Sequence, residues 1–102
     1  MANNPKLVRD KIPEIIAHEG NVPTVHTASD EEYRSELYKK LNEEVREVTE
    51  VPSLEEAADL YEVLLAICTL EGWTLAELEA KRFAKCQERG GFTQRIILES
   101  VV

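Results

Sequence analysis

Hydrophobic and polar residues recur along most of this chain with the period of an α-helix, and the alternation typical of strands is scarce. One helix-start pattern occurs three times: a Ser or Thr is followed three residues later by Glu, as in a reciprocal capping box. These pairs are Ser29/Glu32, Ser53/Glu56 and Thr74/Glu77. The pattern predicts long helices over residues 30–51 and 54–71, and a third from after Thr74 to Gly90-Gly91.

A shorter helix is expected near the start of the chain. Asp10 is the predicted N-cap, because its carboxylate can accept from backbone N–H groups of the next turn, and Pro13 is tolerated in that turn. This helix should end at Glu19, before Gly20. The fold class is therefore all-α, with four helices.

Two segments lack a helical pattern. Residues 21–28 are rich in β-branched side chains and predict either an extended connector or an isolated strand. Residues 92–102 contain the apolar run Ile96-Ile97-Leu98, which would suit a tail that packs on a neighbour. Trp73 is expected in the core at a helix junction rather than as a platform for base stacking.

The second and third helices of the chain, over residues 30–51 and 54–71, should form an antiparallel hairpin, because only the short link around Pro52 separates them. The third helix is apolar almost all round, whereas a surface helix keeps a polar side. We therefore expect it at the centre of a homo-oligomer, a dimer or a tetramer, in a bundle whose second chain supplies the missing cover. Its apolar residues are Leu54, Ala57, Ala58, Leu60, Tyr61, Val63, Leu64, Leu65, Ala66, Ile67, Cys68 and Leu70.

The composition limits the function classes. A chain of 102 residues predicts one domain over 1–102. A formal charge of −8 argues against binding of duplex nucleic acid, which needs a basic face. Because no apolar run is long enough to span a bilayer and no signal peptide is recognisable, a cytoplasmic location without membrane association is expected. Cys68 and Cys86 stand alone and predict free thiols.

A group of carboxylates carries the candidate chemistry. On the second helix, an apolar stripe of Tyr33, Leu37, Leu41, Val45 and Val48 includes Glu44, with Glu47 on its flank. On the third helix, Glu56 and Asp59 have the same i, i+3 spacing. Folding the hairpin about Pro52 sets Glu47 level with Ala57 and Glu44 level with Leu60, so all four carboxylates occupy one layer.

That layer predicts a site for Mg²⁺, with Mn²⁺ as a substitute, because hard divalent cations bind oxygen ligands and relieve the repulsion between carboxylates. The alternative is that the acidic residues form solvated helix faces, and that Glu56 serves only as the capping partner of Ser53. The position of Glu44 on the apolar stripe favours the metal site, since an uncompensated charge there is costly.

These residues resemble the motif of the all-α nucleoside-triphosphate pyrophosphatase superfamily, the MazG-like and phosphoribosyl-ATP pyrophosphohydrolase-like proteins. The EExxE part is matched by Glu43 to Glu47, and the ExxD part by Glu56 to Asp59. The stretches KLVRDKIPEII (6–16) and KCQERGGF (85–92) also resemble small single-domain members, so the similarity covers nearly the whole chain.

The resemblance implies a MazG-like four-helix fold and Mg²⁺-dependent hydrolysis of the α–β phosphoanhydride of a nucleoside triphosphate to a monophosphate and pyrophosphate. A house-cleaning role, the removal of unwanted nucleotides, is the expectation that goes with this activity. Glu44, Glu47, Glu56 and Asp59 become the metal ligands, and Glu43 an outer candidate. Glu44 and Glu47 are the candidate catalytic residues. Glu47 is chosen as the acceptor of the proton of the attacking water.

Phosphates also need cations, and the charge is unevenly spread. Residues 29–62 carry a net −8, whereas residues 81–95 carry a net +4. Lys81, Lys85 and Arg89 recur every four residues and predict one basic ridge on the fourth helix, which is our candidate for substrate binding. The alternative is a solvated face favoured by the helix dipole.

In the family a basic residue in this stretch contacts the nucleotide, and Lys85 and Arg89 match it best. Some relatives have an Asn just before it, where this chain has Ala80. Lys6, Arg9 and Lys11 form a second basic cluster, to which the pattern assigns no role.

Two alternative functions remain at this stage. The first is hydrolysis of another pyrophosphate-bearing nucleotide, such as phosphoribosyl-ATP or an alarmone. The second is a non-enzymatic acidic module for helical oligomerisation. The position of Glu44 distinguishes the enzyme hypothesis from the hypothesis of a non-enzymatic module, because a purely structural protein would be more stable with Leu at this position.

Overall fold

In a computed structural model, which describes residues 5–102, the chain forms four helices and, over those residues, no strand. The helices are α1 (Ile12–His18), α2 (Asp30–Glu50), α3 (Leu54–Glu71) and α4 (Leu75–Arg89). This confirms the all-α class and places the long helices within about one residue of the predicted bounds. Residues 21–28 form an irregular connector rather than a strand, and residues 92–102 contain only a turn.

The helix starts follow the predicted caps only in part. The hydroxyls of Ser29, Ser53 and Thr74 each accept a hydrogen bond from the backbone N–H three residues later. Only Thr74 forms the complete reciprocal box, in which the Glu77 carboxylate accepts from the Thr74 backbone N–H. The carboxylates of Glu32 and Glu56 are therefore available for other contacts.

The predicted cap of α1 is wrong. Lys11, not Asp10, occupies the N-cap, and no side chain caps this end. The chain enters α1 through a tight backbone turn, in which the Ile12 N–H donates to the Arg9 carbonyl at 3.0 Å. Pro13 lies at the start of the helix, as expected, and its missing N–H costs nothing there.

The helices α2 and α3 form the predicted antiparallel hairpin, and the core lies between them. Leu37, Val63 and Ile67 are its buried centre, and Leu7 packs against it from the N-terminal segment. Cys68 is also buried, as a small hydrophobe would be. Val45, in contrast, was assigned to the apolar stripe but is 45% exposed, because steps of four residues drift around a helix of 3.6 residues per turn.

The two ends of the hairpin are held differently. At the end away from the turn, the Arg34 guanidinium donates two hydrogen bonds to Glu71, at 2.6 and 3.0 Å. The Tyr38 hydroxyl donates a third at 2.6 Å. At the end beside the turn, α2 and α3 present the acidic residues of the candidate site.

Helix α4 and the tail lie largely apart from this hairpin. Every residue from 79 to 102 is exposed, and α4 packs only lightly on α3. Trp73, predicted to be in the core, is 53% exposed in the single chain. The radius of gyration is 18.1 Å, against about 13 Å for a compact domain of this length.

Much of the apolar surface of α3, α4 and the tail is consequently uncovered in the single chain. The large exposed side chains there include Leu54, Tyr61, Leu64, Leu75, Phe83, Phe92, Ile96, Ile97 and Leu98. None of the described helices is both long enough and apolar enough to cross a bilayer.

Candidate metal centre

The candidate centre is formed by carboxylates from both helices of the hairpin. Glu44 projects from the core-facing side of α2, and Glu56 and Asp59 project from the first two turns of α3. One carboxylate oxygen from each of the three lies within 4.8 Å of the others. The sequence prediction that the hairpin would bring these three together is thus met by the geometry.

Glu47, the fourth predicted ligand, lies beside this group. It is half-buried, and its carboxyl is close enough to Glu56 to act on the Glu56 pKa through hydrogen bonding and charge. It does not, however, share the tight cluster of oxygens formed by the other three residues. Glu47 therefore occupies the rim of the acidic cluster, next to Glu56.

The two most enclosed oxygens of the cluster lack donors. Glu44 is only 6% exposed, and neither its Oε2 nor the Oε2 of Glu56 has a hydrogen-bond partner among the described residues. Buried polar atoms in folded proteins nearly always have a partner, and a missing hydrogen bond to a buried charged group destabilises the folded state. Because the described residues supply no donor, the partners of these two oxygens are either water or a bound ligand.

The pKa values of the cluster also indicate that its negative charges are poorly compensated. The pKa of Glu44 is raised, chiefly by burial and next by the charge of Glu47, with the Lys40 ammonium offsetting part of the rise. The pKa of Glu56 is also raised, first by burial and then by its contact with Glu47. Both shifts mean that the ionised carboxylates are less stable here than in water.

Two cations lie at the edge of the cluster. The Arg9 guanidinium donates to Asp59 Oδ1 at 2.7 Å, across a separation of fifty residues in the chain. The Lys40 ammonium lies 3.9 Å from Glu44 Oε1, one turn earlier on α2. Neither contact reaches the unpartnered Oε2 atoms, so the cluster keeps an excess of negative charge.

The residues fit a divalent metal ion. Mg²⁺ takes oxygen ligands and is commonly held by one or two carboxylates together with waters and substrate phosphates. The cluster offers three converging carboxylates, two donor-free oxygens and one further carboxylate at the rim. Exposed acidic groups alone would be weak support, but Glu44 is buried.

The predicted basic ridge is not brought to these carboxylates within one chain. Lys81, Lys85 and Arg89 are exposed on α4, and within residues 5–102 they form no ion pair. Ala80 is likewise exposed. The cations that do lie beside the carboxylates are Arg9 and Lys40.

Sequence reasoning left Arg9 without a role and did not consider Lys40. For Lys40 a signal existed, because it stands four residues before Glu44 and such pairs meet on a helix surface. For Arg9 no local signal existed, since its contact with Asp59 depends on the path of the N-terminal segment across the hairpin.

No family model matches the chain, and no solved structure matches it. A protein of Mycolicibacterium smegmatis that bears the name "Uncharacterized protein" is 51% identical over 43 residues. The match spans 42% of this chain and 44% of that protein.

Proposed function

We propose that this protein hydrolyses the α–β phosphoanhydride of a nucleoside triphosphate in a Mg²⁺-dependent reaction that releases a monophosphate and pyrophosphate. In this proposal the acidic cluster of α2 and α3 holds the metal, through Glu44, Glu56 and Asp59 with Glu47 at the rim. The match of Glu43–Glu47 and Glu56–Asp59 to the EExxE and ExxD motif supports membership of the MazG-like superfamily, with the corresponding four-helix fold.

One observation carries the proposal: Glu44 is a buried carboxylate with an oxygen that has no donor among residues 5–102. A structural protein has no use for such a group, because Leu in its place would remove a desolvation cost. A metal ion bound there compensates the charge. The convergence of Glu56 and Asp59 on the same point gives the ion further ligands.

Bound Mg²⁺ would supply charge neutralisation along the phosphate chain and lower the pKa of a water molecule. The chain's own residues then have distinct tasks. Glu44, Glu56 and Asp59 would hold the ion, and the burial of Glu44 limits access of bulk water to the inner side of the cluster.

Glu47 is our candidate for the proton acceptor, because it lies at the rim and is half-buried. The water oxygen bonds to the α-phosphorus while the bond from that phosphorus to the α–β bridging oxygen breaks. One proton of the water passes to a carboxylate oxygen of Glu47, the other stays on the new oxygen of the monophosphate, and the bridging oxygen leaves with the pyrophosphate. Atoms and charges balance in this step without a further reactant.

We also propose that the working form is a homo-oligomer, a dimer or a tetramer. The exposed apolar side chains of α3 and α4, Leu64 and Phe83 among them, support this, as does the extended shape of the single chain. In such an assembly the basic ridge of Lys81, Lys85 and Arg89 would be free to approach the carboxylates of a second copy.

The decisive experiment is a panel of common and modified nucleoside triphosphates with Mg²⁺, in which pyrophosphate and orthophosphate are measured separately. Release of pyrophosphate with a monophosphate supports α–β cleavage, whereas orthophosphate would place cleavage at the wrong bond. Turnover of only phosphoribosyl-ATP or an alarmone would keep the chemistry and change the substrate. An absence of turnover across the panel, with no Mg²⁺ or Mn²⁺ binding, would favour the non-enzymatic oligomerisation module.

A further inference from the structure

A second feature lies directly beside the acidic cluster: a basic hollow between the N-terminal segment and α2. Its volume is about 470 Å³, which falls within the range of small-molecule sites. Its lining residues are Pro5, Lys6, Leu7, Glu36, Lys39, Lys40 and Glu43. Its three ammonium groups face two carboxylates, so the lining carries a net positive charge in a chain whose total is −8.

The lysines of the basic hollow are engaged to different degrees. The Lys39 ammonium lies 3.0 Å from Glu36 and is neutralised by it. The Lys40 ammonium lies 3.9 Å from Glu44, and its side chain is only 21% exposed. Lys6 forms no ion pair within residues 5–102. The charge of Lys6 therefore remains available to an anion.

The basic hollow and the acidic cluster are neighbours that share Lys40 at their boundary. Lys40 lines the hollow and also approaches Glu44, so it stands between the two. On the N-terminal segment, Lys6 lines the hollow while Arg9 contacts Asp59. Lys6 and Arg9 are three residues apart, so their Cα atoms lie at most about 11 Å from each other, and the N-terminal segment borders both the hollow and the acidic cluster.

We propose that the basic hollow seats the distal phosphates of the substrate, the part that leaves as pyrophosphate. This rests on the proposed function, because it takes the α-phosphate to lie at the acidic cluster. Lys6 and Lys40 then bind phosphate oxygens as compact point charges, and Lys39 contributes when it is released from Glu36. The N-terminal segment thereby becomes part of the substrate site.

As candidate phosphate sites, the basic hollow and the basic ridge of α4 differ in one testable respect. The hollow and the carboxylates lie in the same chain, whereas the ridge is distant from them unless a second copy brings it near. Substitutions of Lys6 should therefore act on phosphate binding whatever the oligomeric state.

The test is calorimetric titration of the full chain with inorganic tripolyphosphate in Mg²⁺ buffer, which requires no turnover. The variants are Lys6→Glu and Lys39→Gln, with Lys11→Glu as the control, since it makes the same charge change on the same segment but outside the hollow. We expect Lys6→Glu to weaken binding by about tenfold or more, as for the loss of one charge-assisted hydrogen bond, and Lys39→Gln by less. The loss should shrink at high salt, because Lys6 is exposed.

Two results would overturn the proposal: no tripolyphosphate binding by the unmodified protein, or an equal effect of Lys6→Glu and Lys11→Glu. If the nucleotide panel shows hydrolysis and Lys6→Glu changes neither KM nor affinity, the hollow is refuted while the proposed function stands. If tripolyphosphate binds with the expected dependence on Lys6 but no nucleotide is hydrolysed, the anion site stands and the proposed function fails.

Discussion

The two ends of the α2–α3 hairpin treat carboxylates in opposite ways. At the open end, Glu71 accepts hydrogen bonds from Arg34 and Tyr38, and these bonds lower its pKa. At the turn end, Glu44 is more deeply buried, has an oxygen without a donor, and has a raised pKa caused chiefly by that burial. The same pair of helices thus carries one satisfied and one unsatisfied acidic site.

We interpret the difference as that between a structural site and a proposed ligand-binding site. Where a carboxylate only joins two helices, the fold provides donors in fixed positions, as Arg34 and Tyr38 do for Glu71. Where several carboxylates lie close together with few donors, their burial and mutual repulsion lower the stability of the fold. Such an arrangement is typical of sites that bind a ligand or catalyse a reaction. Substitutions at the two ends of the hairpin should therefore have different consequences.

The first prediction concerns activity. Glu44→Gln and Asp59→Asn should each lower kcat by at least about a hundredfold, since even residues that merely orient metal ligands cost 10- to 100-fold when changed. Helical circular dichroism should be unchanged. Glu50→Gln on the same helix is the matched control, because Glu50 is exposed and outside the acidic cluster. Full turnover in both cluster variants would move the site elsewhere.

The second prediction concerns metal and stability together. Mg²⁺ should raise the Tm of the unmodified protein, by an amount that corresponds to about 2.7 kcal/mol at one hundred times its Kd. Glu44→Gln should raise the Tm measured in EDTA, because it removes a buried charge, and should reduce the increment that Mg²⁺ produces. Thermal unfolding with and without the ion measures both. A Glu44→Gln protein that is less stable in EDTA would show that the ionised group is compensated already.

The third prediction concerns the satisfied end. Glu71→Gln should lower the Tm by several degrees with or without Mg²⁺, since it removes the charge that pairs with Arg34 and holds the open end of the hairpin. The control is Glu79→Gln, which breaks a pair with Arg82 on an exposed face of α4 and should have little effect. Equal effects of the two substitutions would mean that the Glu71 contacts contribute no more than an ordinary surface pair.

The pH dependence of Glu71 follows from the same contacts. Its folded pKa lies below the ordinary value of 4.5, so the unfolded chain binds the proton more readily than the folded one. The stabilisation by this group is complete above that value and is lost as the pH falls through the lowered folded pKa. Denaturant unfolding from pH 6 to about pH 3 should show a smaller acid loss in Glu71→Gln than in the unmodified protein.

The smallest effect is expected for Arg9. Its guanidinium occupies an oxygen of Asp59, so Arg9→Gln should tighten Mg²⁺ binding by about two- to fivefold, the range for a partly exposed ion pair. Titration calorimetry with Mg²⁺ measures the change, and Lys11→Gln serves as the comparison. Weaker Mg²⁺ binding in Arg9→Gln would indicate that Arg9 positions Asp59 for the metal instead of competing with it.

Much of the fold followed from local rules in the sequence. The starts of α2, α3 and α4 depend on a hydroxyl and the backbone N–H three residues later. Their apolar positions follow a 3.6-residue period. Both patterns can be recognised from one or two turns of sequence. The hairpin followed from the short link at Pro52. Because two helices joined so closely have little choice of register, the convergence of Glu44, Glu56 and Asp59 was also predictable.

The tertiary structure decided what depends on long irregular segments and on packing between distant residues. Three features join residues more than thirty positions apart: the contact of Arg9 with Asp59, the hydrogen bonds that Arg34 donates to Glu71, and the basic hollow. Their geometry is set by how the N-terminal segment and two helices pack, which no local spacing encodes. The direction of α4 and the exposure of Trp73 likewise depend on which apolar surfaces pack against each other. Burial is a property of all the packed elements together and not of any one segment.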